Sequence, residues 1–345
     1  MTGQDDPFPD DSSLRALLED YQDEKVFVID ITDAGGRSLG NNGDQLMYAV
    51  FRKLLGAFGM SPVESADEAT LLIVPPNGAL LEQYRFPTLL AERLANLPDL
   101  PLVIFPSSAF FRQVDPSFIF GKRDARTLWI LREKPSYEQL SGRWGEQLAH
   151  AGVELALDHD VVVSGHRFVP EVIGEHATQD TALVAARVDL ERRGNFGVSG
   201  VHAPQSLTAL GSLASAIRKV RSRAFDILPE SGLKTRAARS LHQSTIRSAS
   251  AEMVESLSRE HQGQIEAAAS RVFTDLSSTR YATFDEYRRS IGRSSLVVTN
   301  RLHVGLPAAI LGKHVVLVEA GYHKLGGVYD RSLSAALNVE LVRAS

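Results

Sequence analysis

The stretch SSLVVTNRLHVGLPAAILGKHVVLVEA, residues 294–320, reads as strand, turn, helix and strand. SSLVVT is short, apolar and β-branched, as is KHVVLVEA, and NRLHVGLPAAILG lies between them with the length of a helix. Two such strands joined across one helix make a parallel βαβ unit. In a parallel sheet, ligands lie beyond the carboxyl ends of the strands. Arg301 and His303 stand at that point, directly after the first strand.

The same alternation extends outward. EKVFVIDI (24–31), TLLIVPP (70–76), LPLVIFPSS (100–108), TLWILRE (127–133) and VELALD (153–158) read as strands. DQLMYAVFRKLLGAFG, opened by Asp44, and PSYEQLSGRWGEQLAHAG, with Pro135 in its first turn and Gly152 at its end, read as helices. Residues 160–181 are less regular and read as a linker. A second series follows: strands at 183–190, 269–276 and 294–299, with helices at 206–224, 251–270 and 283–292. The expected fold is α/β, with two Rossmann-like domains facing a cleft. Residues 1–23 form a flexible tail and a short helix capped by Ser13. Residues 24–165 form the N-terminal domain and 166–345 the C-terminal one, with the last helix free to pack back on the N-terminal domain.

Composition sets the outer bounds. The chain has 345 residues, 43% hydrophobic and 23% charged, which excludes disorder throughout. Lys+Arg 37 against Asp+Glu 42 leaves a net charge of −5, with no global attraction to nucleic acid. With no cysteine there is no disulfide and no thiolate metal site. The acidic start, MTGQDDPFPDDSS, lacks the features of a signal peptide, and no apolar run is long enough to span a membrane. The expectation is a cytoplasmic protein, with work at the inner face of the cell membrane left open.

Four stretches carry candidate chemistry. Gly40, Asn41, Asn42, Gly43 and Asp44 join a strand to a helix N-terminus, where backbone N–H groups favour polar or anionic ligands; the plainer reading is a turn capped by Asp44. Arg301 offers a planar fork to carboxylate or phosphate, and His303 moves protons near neutral pH. The plainer alternative ties Arg301 to a carboxylate and makes His303 a cap. Arg132 stands at another strand end, where it meets an anion or pairs structurally with Glu133 or an Asp, and Ser136 after it is a cap or a phosphate contact. His323 and Lys324 lie in a Gly-rich segment after the last strand, an anion contact or an ordinary loop. Asp158, His159 and Asp160 resemble a fragment of a metal site, but without matching partners they read as a solvated strand end. RVDLERRG (187–194) reads as a strand rim. The 40–44 loop is not the dinucleotide fingerprint and lacks the P-loop Lys-Ser/Thr, and the absence of HExxH and GxSxG disfavours zinc hydrolases and serine hydrolases.

Taken in order, these residues resemble the polysaccharide pyruvyl transferase family. The GN-x-GD loop is matched by Gly40, Asn41, Gly43 and Asp44, and the Pro-x-Ser strand end by Pro106, Ser107 and Ser108. The Arg-Asp/Glu-x-x-Ser element is matched by Arg132, Glu133 and Ser136. Thr299, Asn300, Arg301, Leu302 and His303, then Leu311, Gly312 and Lys313, follow the family's Thr-Asp-Arg-Leu-His run. Ala320 to Lys324 resemble its Asn-Ser-Tyr-Gly-Lys element. The shared order covers about residues 24 to 335. Asn300 replaces the family Asp, and His323 a Gly.

The resemblance implies a GT-B-like pair of domains. It also implies transfer of pyruvate from phosphoenolpyruvate to a sugar as a ketal, with release of phosphate. Arg301, Arg132, Lys324 and Ser136 would then bind the donor, with the C-terminal domain as the donor side. Gly40, Asn41, Asn42 and Gly43 would bind the saccharide acceptor, lipid-linked or nucleotide-linked, on the N-terminal side. His303 and Asp44 would be catalytic. No metal and no cofactor is expected. Two rivals stand beside this reading: a nucleotide-sugar-dependent GT-B glycosyltransferase, and a non-catalytic protein of polysaccharide assembly.

Overall fold

The runs of apolar residues become strands buried on both faces. The computed structural model describes residues 7–30, 40–121, 123–187, 232–319 and 323–343. In the first half the strands are β1 (Lys25–Val28), β2 (Ser61–Pro62), β3 (Leu71–Val74), β4 (Asn77–Leu81), β5 (Leu102–Phe110), β6 (Thr127–Leu131) and β7 (Val153–Leu157). They form one parallel sheet in the order β2-β1-β3-β5-β6-β7, with β4 paired to β5. β3 pairs with the start of β5 and β4 with its end; Pro75 and Pro76 separate the two. Proline has no N–H to give to a ladder, so the strand is interrupted and resumes.

The second half holds β8 (Thr181–Ala185), β9 (Ser270–Thr274), β10 (Leu296–Thr299), β11 (His314–Val318) and β12 (Val339–Val342). This parallel sheet runs β12-β11-β10-β8-β9. Every residue of β3, β6, β8 and β10 is buried, the signature of a sheet covered on both faces. Each sheet is doubly wound. The strand order reverses between β1 and β3 in one, and between β8 and β10 in the other. Such reversals open a crevice at the strand ends.

The helices are α1 (Ser12–Leu17), α2 (Asn42–Ala57), α3 (Phe86–Leu94), α4 (Lys134–His150), α5 (Val161–Ser164), α6 (Val169–Ile173), α7 (Gly232–Glu255), α8 (Arg259–Ala267), α9 (Phe284–Arg293), α10 (Leu302–Ile310) and α11 (Lys324–Ser332). Three expectations are corrected here. The helix expected over 251–270 is two helices, because Ser258 caps a new start by accepting from the His261 N–H. α1 does not start from a Ser13 cap; the Ser13 hydroxyl donates to Asp158 Oδ1 at 2.6 Å. The stretch 160–181 is not a loose linker, since Val161 to Ser164 are all buried in α5. The expected helix at 206–224 and the strand end at 188–190 lie outside the described residues.

One apolar cluster joins the halves. It runs from Leu14, Val26 and Leu46 through Ile73 and Phe105 to Leu183, Val297, Leu306 and Leu317. α2 packs on α5 and α10, so an N-half helix shares this core with a C-half helix. α11 lies against α4, and Arg331 donates to the Asp158 carbonyl at 2.8 Å.

Candidate active site

The carboxyl ends of strands from both sheets surround one cavity of about 400 Å³. β1 leads to Gly40, Asn41 and Asp44, β3 to Asn77 and Gly78, and β6 to Arg132. From the other sheet, Arg187 follows β8, Arg301 and His303 follow β10, and Lys324 follows β11.

The GN-x-GD loop works first as a helix start. Asn41, not Asp44, is the cap: its side chain accepts from the Gly43 N–H at 2.7 Å and the Asp44 N–H at 3.4 Å, and Asp44 Oδ2 accepts from the Asn41 N–H at 2.8 Å. This reciprocal pair is a capping box with Asp in the Glu position. Gly43 is needed for approach, since a Cβ there would stand 2.9 Å from the Cβ of His303. Burial raises the Asp44 carboxyl above its ordinary range, against the pull of the Asn41 N–H, His303, Arg132 and Lys324. Asn42 departs from expectation. It is fully buried, and its amide donates to the carbonyls of Leu276 at 2.7 Å and Ala282 at 2.9 Å. Both hydrogens are committed, so Asn42 clamps the halves together and is not an acceptor ligand.

Arg132 is 2% exposed and lies in the wall of the cavity. Its Nε donates to Ser108 Oγ and its Nη1 to Asp160 Oδ2, at 2.9 and 2.8 Å. Ser108 passes its own hydrogen to Glu133 Oε2 at 3.0 Å. Ser136 is fully buried beneath this network, donating to Glu133 and accepting from the Ala109 N–H at 3.1 Å. It positions Glu133 and takes no part in lining the cavity, which corrects its expected role in donor binding.

Gly78 admits two cations. A Cβ there would lie 3.0 Å from Arg132 Nη2 and 3.3 Å from Lys324 Nζ. Lys324 donates to the Gly78 carbonyl at 2.5 Å. Burial, with Arg132 adding to it, brings the Lys324 ammonium down to about 7. Beside it, burial and the Lys324 charge bring His323 down to about 4. Residues 320–322 of that motif lie outside the described residues.

Arg301 sits at the cavity, but its fork closes on Asp275, from Nε to Oδ1 at 3.1 Å and Nη2 to Oδ2 at 2.6 Å. Asp275 is fully buried and Arg301 is 5% exposed. The plainer reading of Arg301 therefore holds: this bidentate edge is structural and not open to a donor anion. Asn300 Oδ1 accepts from the Arg187 N–H at 2.8 Å and so fixes the ends of β8 and β10 to each other.

His303 is the second residue of α10, not its cap. Pro307 lies four residues on and cannot donate to the His303 carbonyl as a helical N–H would. The hydroxyl of Tyr287, a fully buried residue, donates to that carbonyl instead. His303 Nε2 meets Asp160 Oδ2 at 3.1 Å.

Asp160, against His303, and Arg187, in the cavity wall, are the candidate residues missed in the sequence. Asp158 and Asp160 are both fully buried, so their segment is no solvated strand end. Asp160 lies three residues past the end of β7, and the strand-end rule that singled out Arg132 and Arg301 covers it as well. Among the described residues, no group of three or more His, Asp and Glu is placed to hold a metal ion.

The arrangement gathers cations with one carboxyl and one histidine, a site suited to an anionic substrate and to proton transfer. Neither a protein-family model nor a curated protein matches the chain. It is similar to a solved structure. That protein, from Klebsiella pneumoniae subsp. pneumoniae, is described as functionally uncharacterized; the TM-score is 0.52 and the identity 14%, over 96% of this chain and 97% of that one. The likeness shows the fold alone. Among the described residues, no helix is long and apolar enough to cross a membrane.

Proposed function

We propose that this chain is a pyruvyl transferase that moves pyruvate from phosphoenolpyruvate onto a saccharide and releases phosphate. One observation carries the reading: Asp44, Arg132, His303 and Lys324, from motifs spread over most of the chain, line a single cavity between two doubly wound sheets. The paired sheets suit a GT-B-like arrangement, with donor and acceptor meeting between them.

Phosphoenolpyruvate brings a phosphate and a carboxylate. Arg132, Lys324 and Arg187 are the cations of the cavity on which such an anion is held. His303 gives a proton to the methylene carbon, which becomes the methyl group. The neighbouring carbon then carries positive character, and a sugar hydroxyl bonds to it. Asp44, its carboxyl raised by burial, takes the proton of that hydroxyl. The carbon–oxygen bond to phosphate breaks, and a second sugar hydroxyl closes the ketal, its proton leaving with phosphate. No metal or redox cofactor enters this scheme. The acceptor is a polysaccharide precursor on a lipid or nucleotide carrier, handled in the cytoplasm or at the inner membrane face.

The test is phosphate release from phosphoenolpyruvate against a panel of saccharides, with the product examined for a ketal. Release that depends on the saccharide supports the reading. Failure to bind phosphoenolpyruvate, with nucleoside diphosphate released from a nucleotide-sugar, replaces it with glycosyl transfer. Inertness toward both donors leaves a non-catalytic assembly protein.

A further inference from the structure

Asp160 stands where the two halves meet. It follows β7 of the first sheet and opens α5, where its Oδ1 accepts from the Val162 N–H at 2.9 Å. Its Oδ2 receives Arg132 Nη1 from the first half at 2.8 Å and lies 3.1 Å from His303 Nε2 of the second. We infer that Asp160 is a positioning residue that holds the proton of neutral His303 on Nε2, leaving Nδ1 as the ring atom that exchanges a proton with a bound ligand.

The argument is one of donors and acceptors. An ionised carboxylate only accepts. Burial opposes the charge on Asp160, but protonated His303 and Arg132 outweigh it and hold the carboxyl well below its ordinary range; beside the neutral ring, the Arg132 guanidinium at 2.8 Å and the Val162 N–H at 2.9 Å still favour the carboxylate. Contact with Nε2 at 3.1 Å is then favourable only if Nε2 carries hydrogen. Arg132 Nη1 lies 3.5 Å from the same nitrogen and cannot accept, so both donors turn to one oxygen. The opposite tautomer would set a lone pair against a buried carboxylate. The same carboxylate steadies the imidazolium when Nδ1 is also protonated. The main chain that carries the ring is held as well, through the Tyr287 bond to the His303 carbonyl.

The tautomer is read without substrate, from long-range proton–nitrogen correlations of 15N-histidine-labelled protein, at a pH where the ring-nitrogen shifts themselves report the neutral form. His303→Gln assigns the signals. The expected wild-type pattern is Nε2–H. In Asp160→Ala no acceptor remains at Nε2, Arg132 Nη1 at 3.5 Å is the donor left facing it, and the proton moves to Nδ1. A wild-type ring protonated at Nδ1 overturns the inference, as does a folded Asp160→Ala with an unchanged pattern. If the variant does not fold, the wild-type spectrum still decides. The role given to Nδ1 in catalysis rests on the pyruvyl-transfer reading and has its own readout. Folded Asp160→Ala should lose about 10²–10⁴-fold in phosphate release while donor affinity changes far less. Unchanged turnover with a moved proton overturns that role and leaves the tautomer result intact. Failure of phosphoenolpyruvate to react with the wild type overturns the donor assignment alone.

Discussion

Arg301 and Lys324 are both cations at the cavity, yet substitution should read out differently. Arg301→Ala leaves Asp275 buried without its bidentate partner, a change that costs about 3–5 kcal/mol. The urea midpoint should fall sharply, and a variant within ~0.5 kcal/mol of wild type would refute the pairing. Lys324 should show itself through protons. Because its ammonium is brought down to about 7, it is mostly neutral at pH ~8 and must charge to meet an anion. Binding of phosphoenolpyruvate at that pH should take up close to one proton, and affinity should weaken as pH rises further. Calorimetry in two buffers of different ionisation enthalpy measures this; zero exchange would remove Lys324 from the donor site. Arg132, Arg301, His303 and Lys324 were all legible as cavity residues because each follows an apolar run. Their partners were not, since Asp275, Asp160 and Gly78 are remote in sequence from the side chains they meet.

At the scale of elements, α10 depends on a bond from outside itself. Tyr287→Phe removes the donor that replaces the missing Pro307 N–H and leaves the part-buried His303 carbonyl without it. The expected cost is about 1–3 kcal/mol in denaturant unfolding. A neutral result would mean that water serves the carbonyl equally well. The apolar runs predicted β1, β3, β5, β6 and β7 to within a few residues, and Gly152 ends α4 with a φ of 69°. Periodicity could not find β2 and β4. β2 is the exposed pair Ser61–Pro62, and β4 begins NG directly after two prolines, which ordinarily mark a turn. The break between α7 and α8 was hidden because the Ser258 cap lies inside a run of good helix formers.

At the scale of the molecule, the halves are separate in their sheets and continuous in their core. The apolar cluster from Leu14 to Leu317, the Asn42 clamp and the shared Asp160 carboxylate all cross between them. Thermal unfolding should therefore be one transition, with calorimetric and van't Hoff enthalpies in agreement. Two resolved transitions would show that the cluster does not couple the halves. The alternation of strands and helices foretold two sheets. It carried no sign of the common core, because which helix faces carry contacts across the halves depends on packing rather than period.

The two prolines between β3 and β4 act as a ruler. β4 starts a set distance beyond β3 along the same neighbour, β5, and that distance brings the Gly78 carbonyl to Lys324. Side chains alternate faces along a strand, so deleting Pro76 or inserting one residue after it would turn β4 over. Leu80 and Leu81 anchor its far end and resist the slip. The frame error would then collect at residues 77–79, over the cavity, while β3 and the core beneath it kept their register. Such length variants should remain folded and lose the Gly78–Lys324 contact, a way to disturb the site without altering any charged residue in it.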